Sequence, residues 1–269
     1  METFLAMFFS SNRSINKIEF TDLNFSGGEI LQLLCPYLQR SSRLTEISFY
    51  AGYFGPGTAD KLSSFLRSCN RSLCALSIRF VETGWGDDEP QELLEVIKAL
   101  VPMHRQLTKL TIDGCRMNMR RVECQSLANL LSFGNLHTLK LSNCGIDDEG
   151  ADALVDAVAI GRVRCLSLSR NMDITVTGYQ RIAALLVMPD TTLEVLKLSH
   201  CEIDDEVLVN IFANALTNNH KLKTFDVEFV DITTVGWSAL AGVLCDASSL
   251  NSIYLSNHTL ESVGTQDGY

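Results

Sequence analysis

Nine cysteines and five histidines have the widest chemical repertoire in this chain, as metal ligands, nucleophiles or proton carriers. The closest cysteines, Cys69-x4-Cys74, lack the second cysteine or histidine couple that would complete a zinc site. The others, at Cys35, Cys115, Cys124, Cys144, Cys165, Cys201 and Cys245, make an odd set without tight pairs, which reads as free thiols in a reducing, cytoplasmic compartment. On that reading the sequons at Asn12, Asn24, Asn70 and Asn257 are chance matches. None of His104, His137, His200, His220 and His258 pairs locally with a nucleophile, and Gly52-Tyr53-Phe54-Gly55-Pro56-Gly57 is a loop rather than a phosphate cradle. Neither G-x-x-x-x-G-K-S/T nor G-x-G-x-x-G, G-x-S-x-G or H-E-x-x-H occurs. The acidic triplets Asp87-Asp88-Glu89, Asp147-Asp148-Glu149 and Asp204-Asp205-Glu206 precede helical patterns, where carboxylates cap and stabilise a first turn. Metal binding would need them to converge. The expectation is a protein without catalysis, metal or cofactor.

What positions these residues is a repeat. The phrase apolar-x-x-apolar-x-apolar occurs at Ile15/Ile18/Phe20, Leu44/Ile47/Phe49, Leu73/Leu76/Ile78, Leu107/Leu110/Ile112, Leu136/Leu139/Leu141, Val163/Leu166/Leu168, Leu193/Leu196/Leu198, Leu222/Phe225/Val227 and Leu250/Ile253/Leu255. The period is about 28 residues, with one longer step for an insertion from Glu82 to Pro90. Each phrase leads to a turn, an apolar residue, an acid- or hydroxyl-rich cap and an amphipathic helix. Leu136 to Ile146, then Asp147-Asp148-Glu149-Gly150, then Leu154, Val155 and Val158 shows the whole unit. Ser26-Gly27-Gly28-Glu29 has capping-box spacing, and Thr58 is a candidate cap. A short strand and a one-faced helix cannot bury their apolar sides alone, so neighbouring units must stack. Ala151, Tyr179, Leu208 and Trp237 occupy equivalent helical sites and read as inter-helix packing.

The period, the pattern L-x-x-L-x-L-x-x-C/N-x-L and the Asp-Asp-Glu-Gly lead into a helix resemble the ribonuclease-inhibitor-like class of leucine-rich repeats over residues 15–269. The resemblance implies an α/β right-handed leucine-rich-repeat solenoid, a horseshoe of about nine repeats. Its parallel sheet would be concave and its helices convex. Gly52 and Val81 replace the expected Cys or Asn, and Asn171 keeps it but is followed by an extra residue before Ile174, so these three repeats predict irregular turns. Residues 1–14 read as the helix end of a preceding repeat, and the ninth repeat as incomplete. Neither end shows a polar cap, so the expectation is a fragment, a truncated gene product or ends covered by dimerisation, with a truncated longer chain the leading reading.

Alternate strand residues should project into the concave face in three columns. The first is Lys17, Glu46, Ala75, Lys109, Thr138, Cys165, Val195, Thr224 and Ser252; the second is Glu19, Ser48, Ser77, Thr111, Lys140, Ser167, Lys197, Asp226 and Tyr254; the third is Thr21, Tyr50, Arg79, Asp113, Ser142, Ser169, Ser199, Glu228 and Ser256. This is a mixed, hydroxyl-rich floor. The partner-binding candidates on it are Tyr50, Arg79, Lys109, Asp113, Lys140, Lys197, Asp226, Glu228 and Tyr254, with Tyr53, Trp85 and His200 in the adjoining turns. Tyr50, Tyr53, Phe54 and Trp85 form one aromatic group of the kind enriched in interface hot spots. Its alternative is packing, with Phe54 filling the turn and Trp85 covering the insertion.

Of the 269 residues, 46% are hydrophobic and 20% charged, enough for a sizeable core, and no apolar run approaches the roughly 18 residues of a spanning helix. Residues 1–134 carry 14 acidic and 14 basic side chains, whereas residues 135–269 carry 18 and 8. That half disfavours nucleic acid, lacking the Lys/Arg density that phosphates demand, and its complement is a basic protein partner. No membrane contact is expected, and the oligomeric state is open. The leading reading is a scaffold that recognises another protein through its concave sheet and edge loops. The alternatives are a GTPase activator resembling the Ran-directed family and a substrate-receptor arm of a ubiquitin ligase; no F-box-like segment precedes Ile15.

Overall fold

The computed structural model describes residues 15–24, 36, 43–53, 58–68, 73–80, 90–100, 106–114 and 119–264. Strands β1 (Lys17–Asn24), β2 (Glu46–Tyr53), β3 (Ala75–Phe80), β4 (Lys109–Asp113), β5 (Thr138–Ser142), β6 (Cys165–Ser167), β7 (Val195–Lys197), β8 (Thr224–Asp226) and β9 (Ser262–Val263) form one parallel nine-stranded sheet in sequence order. Between them run α1 (Thr58–Ser68), α2 (Pro90–Leu100), α3 (Arg121–Leu131), α4 (Asp148–Ile160) and α5 (Val176–Val187). Helix α6 starts at Asp205–Val207, widens to a π-helical stretch over Leu208–Ala213 and closes at Asn214–Thr217; α7 (Thr234–Leu244) and α8 (Leu250–Leu255) follow. The sequence expectations at Met1–Phe9, Ser26–Glu29, Phe54, Trp85, the insertion from Glu82, Asp87–Glu89 and Cys115 lie outside the described residues.

Every inner position of the repeated phrase from Leu44 to Val227 is buried, and so are the helical positions that face it, among them Leu66, Leu127, Leu154, Ile182 and Phe212. One continuous core therefore runs between sheet and helices. Strands pack at about 4.8 Å and helices at about 8–10 Å, so the sheet takes the inner side of the curve. Ala151, Tyr179 and Leu208 are fully buried between helices, as their shared site requires, whereas Trp237 on α7 is 44% exposed. The π-helical stretch sets Phe212 between Tyr179 and Phe225, with ring centroids 6.1 and 5.1 Å away.

The ninth unit is corrected. Leu250/Ile253/Leu255 is helix α8 rather than a strand, and Leu250 is 88% exposed; β9 begins ten residues further on, in the frame Leu260/Val263. Apolar residues three apart fit a helix as well as the repeated phrase, and the Ser249 hydroxyl caps this helix by accepting from the Ser252 amide at 3.0 Å. What sets the strand is Asn257. It is buried, donates to the carbonyls of Leu216 and Asn219, and accepts from the amides of Thr259 and Leu260. Asn219 does the same one unit earlier, donating to Leu186 O and accepting from the amides of Lys221 and Leu222. The signal was in the sequence as Asn-x-x-Leu at Asn70, Asn219 and Asn257. It also gives the Asn257 sequon a structural reason.

The two described acidic triplets do more than cap their own helices. Asp147 accepts from Gly150 N and Asp204 from Val207 N, both at 2.9 Å, as expected of capping residues. Each second aspartate reaches the following repeat. Asp148 accepts from the amide and hydroxyl of Thr175 and from Gly178 N, at 2.8, 2.6 and 3.0 Å. Asp205 repeats this clasp on Thr233 and Gly236. The Thr233 hydroxyl, and then its amide, hold the Asp205 carboxyl below its ordinary value of 3.8. The clasp therefore contributes in full above pH 3.8 and is lost as pH falls through the lowered folded-state value. In urea unfolding at stepped pH, the wild type should lose stability below that point more steeply than Asp205→Asn. Equal slopes would remove the clasp's ionised carboxylate from the account.

The remaining turns follow the repeat's C/N position. Cys144 and Cys201 are buried there, their thiols directed at the carbonyls of Ile112 and Leu168 at 3.5 Å, and burial pushes the Cys201 thiol up to about 11. Asn171 makes the expected irregular turn of the sixth unit regular in effect. It is fully buried, and Ile174 still enters the core after the extra residue.

Candidate functional site

The concave floor keeps the first two expected columns across the first eight strands and the third from Tyr50 to Ser142, whereas a register shift after Phe20 takes Thr21 out of line with Tyr50. Register pairs run Lys17–Glu46–Ala75–Lys109–Thr138–Cys165–Val195–Thr224 and then to Ser262, where Ser252 had been expected. The second column runs Glu19–Ser48–Ser77–Thr111–Lys140–Ser167–Lys197–Asp226. Tyr254 does not join it: its place on α8 leaves the side chain 79% exposed and off the sheet.

Tyr50, Arg79 and Asp113 are brought together on adjacent strands. The Arg79 guanidinium lies 5.3 Å from the centroid of the Tyr50 ring, and its Nε meets Asp113 Oδ2 at 3.0 Å. A planar cation held between a π face and a carboxylate gives a pre-ordered polar and aromatic surface. Tyr53 ends β2 with its side chain outside the description, and Trp85 lies outside it altogether, so the full aromatic group is not on view.

At the acidic end the floor is knitted together. Asp226, expected as an open anion, is 3% exposed: Ser199 donates its hydroxyl to it, Lys197 Nζ stands 3.4 Å away and the Glu228 amide 3.3 Å away. Ser199 and Lys197 together cover the carboxylate. Glu228 stays half-buried above it.

His200 sits in the turn, with φ of 56°, stacked on Phe229 at a centroid distance of 4.4 Å and 10° between planes. Arg170 Nη2 lies 3.5 Å from His200 Nε2. Gly114, Asn143, Arg170, His200 and Phe229 all hold positive φ in this turn, one per repeat. Phe229 is 73% exposed, a bulky residue kept in a costly conformation at an edge. Its turn partly walls a cleft of about 530 Å3 with Met172, His200, Glu202, Asp204 and Asp231. Phe229, Arg170 and Met172 were missed from the sequence. The shared offset of Arg170 and Phe229 from the repeat frame was visible, but stacking between repeats was not.

The described cysteines Cys74, Cys124, Cys144, Cys165, Cys201 and Cys245 are free thiols. Among the described residues no group of three His, Cys, Asp or Glu could hold a metal ion, and no helix is long and apolar enough to cross a membrane.

The profile of the family described as Leucine Rich repeat matches residues 135–155 and 190–211, two units of the array. The fold is a leucine-rich-repeat solenoid. NACHT, LRR and PYD domains-containing protein 5 of Mus musculus is 27% identical over 272 residues, covering 91% of this chain. The chain spans only 22% of that relative's length. Among solved structures, the tropomodulin C-terminal domain of Caenorhabditis elegans has a TM-score of 0.45 at 11% identity, covering 60% of this solenoid and 92% of that chain. The Rad7 and Elc1 complex in yeast has a TM-score of 0.38 at 14% identity, covering 98% and 84%.

Proposed function

We propose that this solenoid is a recognition scaffold that binds another protein across its concave floor and turn edge, with no chemistry of its own. The observation that carries this reading is the Tyr50–Arg79–Asp113 ladder, three neighbouring side chains pre-ordered on a rigid sheet. Pre-ordering lowers the entropy lost when a partner docks, and Tyr and Arg are the residue types that dominate interface energetics. At the other end, His200 and Phe229 offer an aromatic edge beside Glu202, Asp204 and Asp231. These exposed carboxylates lie on turns rather than on the floor, and there they would attract a basic partner surface at a distance.

The test compares capture of partners by the wild-type chain, by Tyr50→Ala/Arg79→Glu on the floor and by Lys98→Glu on α2. Removing a hot-spot pair should weaken the captured complex by at least about tenfold, with the α2 variant unchanged. Capture that survives the floor substitutions, or is lost with Lys98→Glu alone, overturns the reading. Asp226 is unsuited as a probe, because reversing a buried charge unfolds the floor before it reports on binding.

A further inference from the structure

The floor contains an imbalance that the chain's overall charge hides. The described strands carry five lysine or arginine residues, Lys17, Arg79, Lys109, Lys140 and Lys197. Three are matched by carboxylates on the sheet: Lys17 meets Glu19 and Glu46 at 2.8 and 3.5 Å, Arg79 meets Asp113 at 3.0 Å, and Lys197 meets Asp226 at 3.4 Å. Among the described residues, Lys109 and Lys140 have no carboxylate within 4.0 Å. They stand on adjacent strands, Lys109 opposite Thr138 and Lys140 opposite Thr111, two residues apart on one face. Their backbones are thus separated by roughly 8 Å. The charges of Lys140, Lys197 and Lys109 all reach the half-buried Cys165 between them and partly offset the rise that burial imposes on its thiol. Around this cluster the floor offers hydroxyls: Ser167 lies 3.4 Å from Ser142 and 3.3 Å from Ser169, oxygen to oxygen.

A chain of net charge −10 that leaves two neighbouring lysines unmatched in the middle of its concave sheet has a local field opposite to its global one. We propose that the centre of the floor, at Lys109 and Lys140, binds a carboxylate-bearing segment of the protein partner, with the half-buried Ser142 and Ser169 hydroxyls, both held by the buried Ser167, completing the site. The proposal rests on the reading that the floor is a protein-binding surface and adds the chemistry of what docks at its centre. The acidic turns repel a polyanion approaching from outside, which favours a short acidic loop over a nucleic-acid backbone.

The probe is a short oligo-L-glutamate peptide, added to the full chain at low salt. It should bind saturably and slow the modification of Cys165 by N-ethylmaleimide several-fold, read by mass spectrometry, while the exposed Cys245 reacts unchanged. Lys109→Glu/Lys140→Glu should weaken binding by at least about tenfold, while Lys98→Glu/Lys221→Glu, with the same change in net charge, should not. Lys109→Gln/Lys140→Gln, which introduces no repulsion, should fall between and covers the event that charge reversal disturbs folding. No binding, binding without protection of Cys165, equal loss in both charge-reversed pairs, or protection by inorganic polyphosphate alone each overturns the proposal. If the oligo-L-glutamate peptide fails while Tyr50→Ala/Arg79→Glu still abolishes partner capture, the acidic segment is wrong and the scaffold reading stands. If capture too ignores the floor, both fall.

Discussion

Asn171→Ala is expected to destabilise the solenoid by about 3–5 kcal/mol, measured by urea unfolding. The side chain is fully buried and makes four hydrogen bonds: Oδ1 accepts from the amides of Cys144 and Ile146 at 2.9 and 3.2 Å, and Nδ2 donates to the carbonyls of Leu141 and Leu168 at 2.8 and 2.7 Å. Alanine orphans all of these backbone groups beneath the turn, where water has little access, and each buried orphan costs about 1–3 kcal/mol. Carbonyls that keep one other partner suffer less, which places the total below the simple sum. Asn171→Cys should recover part of the loss. A thiol at the equivalent places, Cys144 and Cys201, reaches a carbonyl but offers little to the amides. A loss below about 1 kcal/mol for Asn171→Ala would mean that the turn re-forms around water and that this asparagine is not what closes it.

Gly178→Ala should cost about 2–3 kcal/mol, and most of that should vanish when Asp148 has already been replaced by alanine. A Cβ at Gly178 would lie 2.4 Å from Asp148 Oδ1 and 2.7 Å from Ile174 Cγ2. The carboxylate can swing away only by releasing its bonds to Thr175 and Gly178. The cost is therefore chiefly that of the inter-repeat clasp, with a smaller remainder from the contact with Ile174 Cγ2 that persists in the Asp148→Ala background. A double-mutant cycle of unfolding free energies reads this as coupling between Gly178 and Asp148. Additive losses would show that the glycine is required for backbone packing alone. Gly236 stands in the same relation to Asp205, with a Cβ placed 2.6 Å from Oδ1, and should show the same coupling.

The period and the apolar phrase were enough to place eight strands, their columns and the buried helix faces, because a spacing of two along a strand and about 3.6 along a helix translates directly into sidedness. The unmatched pair Lys109 and Lys140 was legible as column membership, and Tyr50, Arg79 and Asp113 as neighbours. What the order of residues could not settle was every choice decided by a partner one repeat away. Leu250 to Leu255 satisfies a helix and a strand equally, and only the bonds of Asn257 to Leu216 and Asn219 set the ninth strand at Ser262. Asp148 and Asp205 read as caps of their own helices, yet the threonine and glycine they hold lie 27 to 31 residues ahead. Asp226 read as an open partner-binding residue until Ser199 and Lys197 closed over it, and nothing in the order of residues singled out Phe229, on which His200 stacks. In a stacked array local periodicity reports which face a side chain takes, while hydrogen bonds between units decide which of those side chains remain available to another molecule.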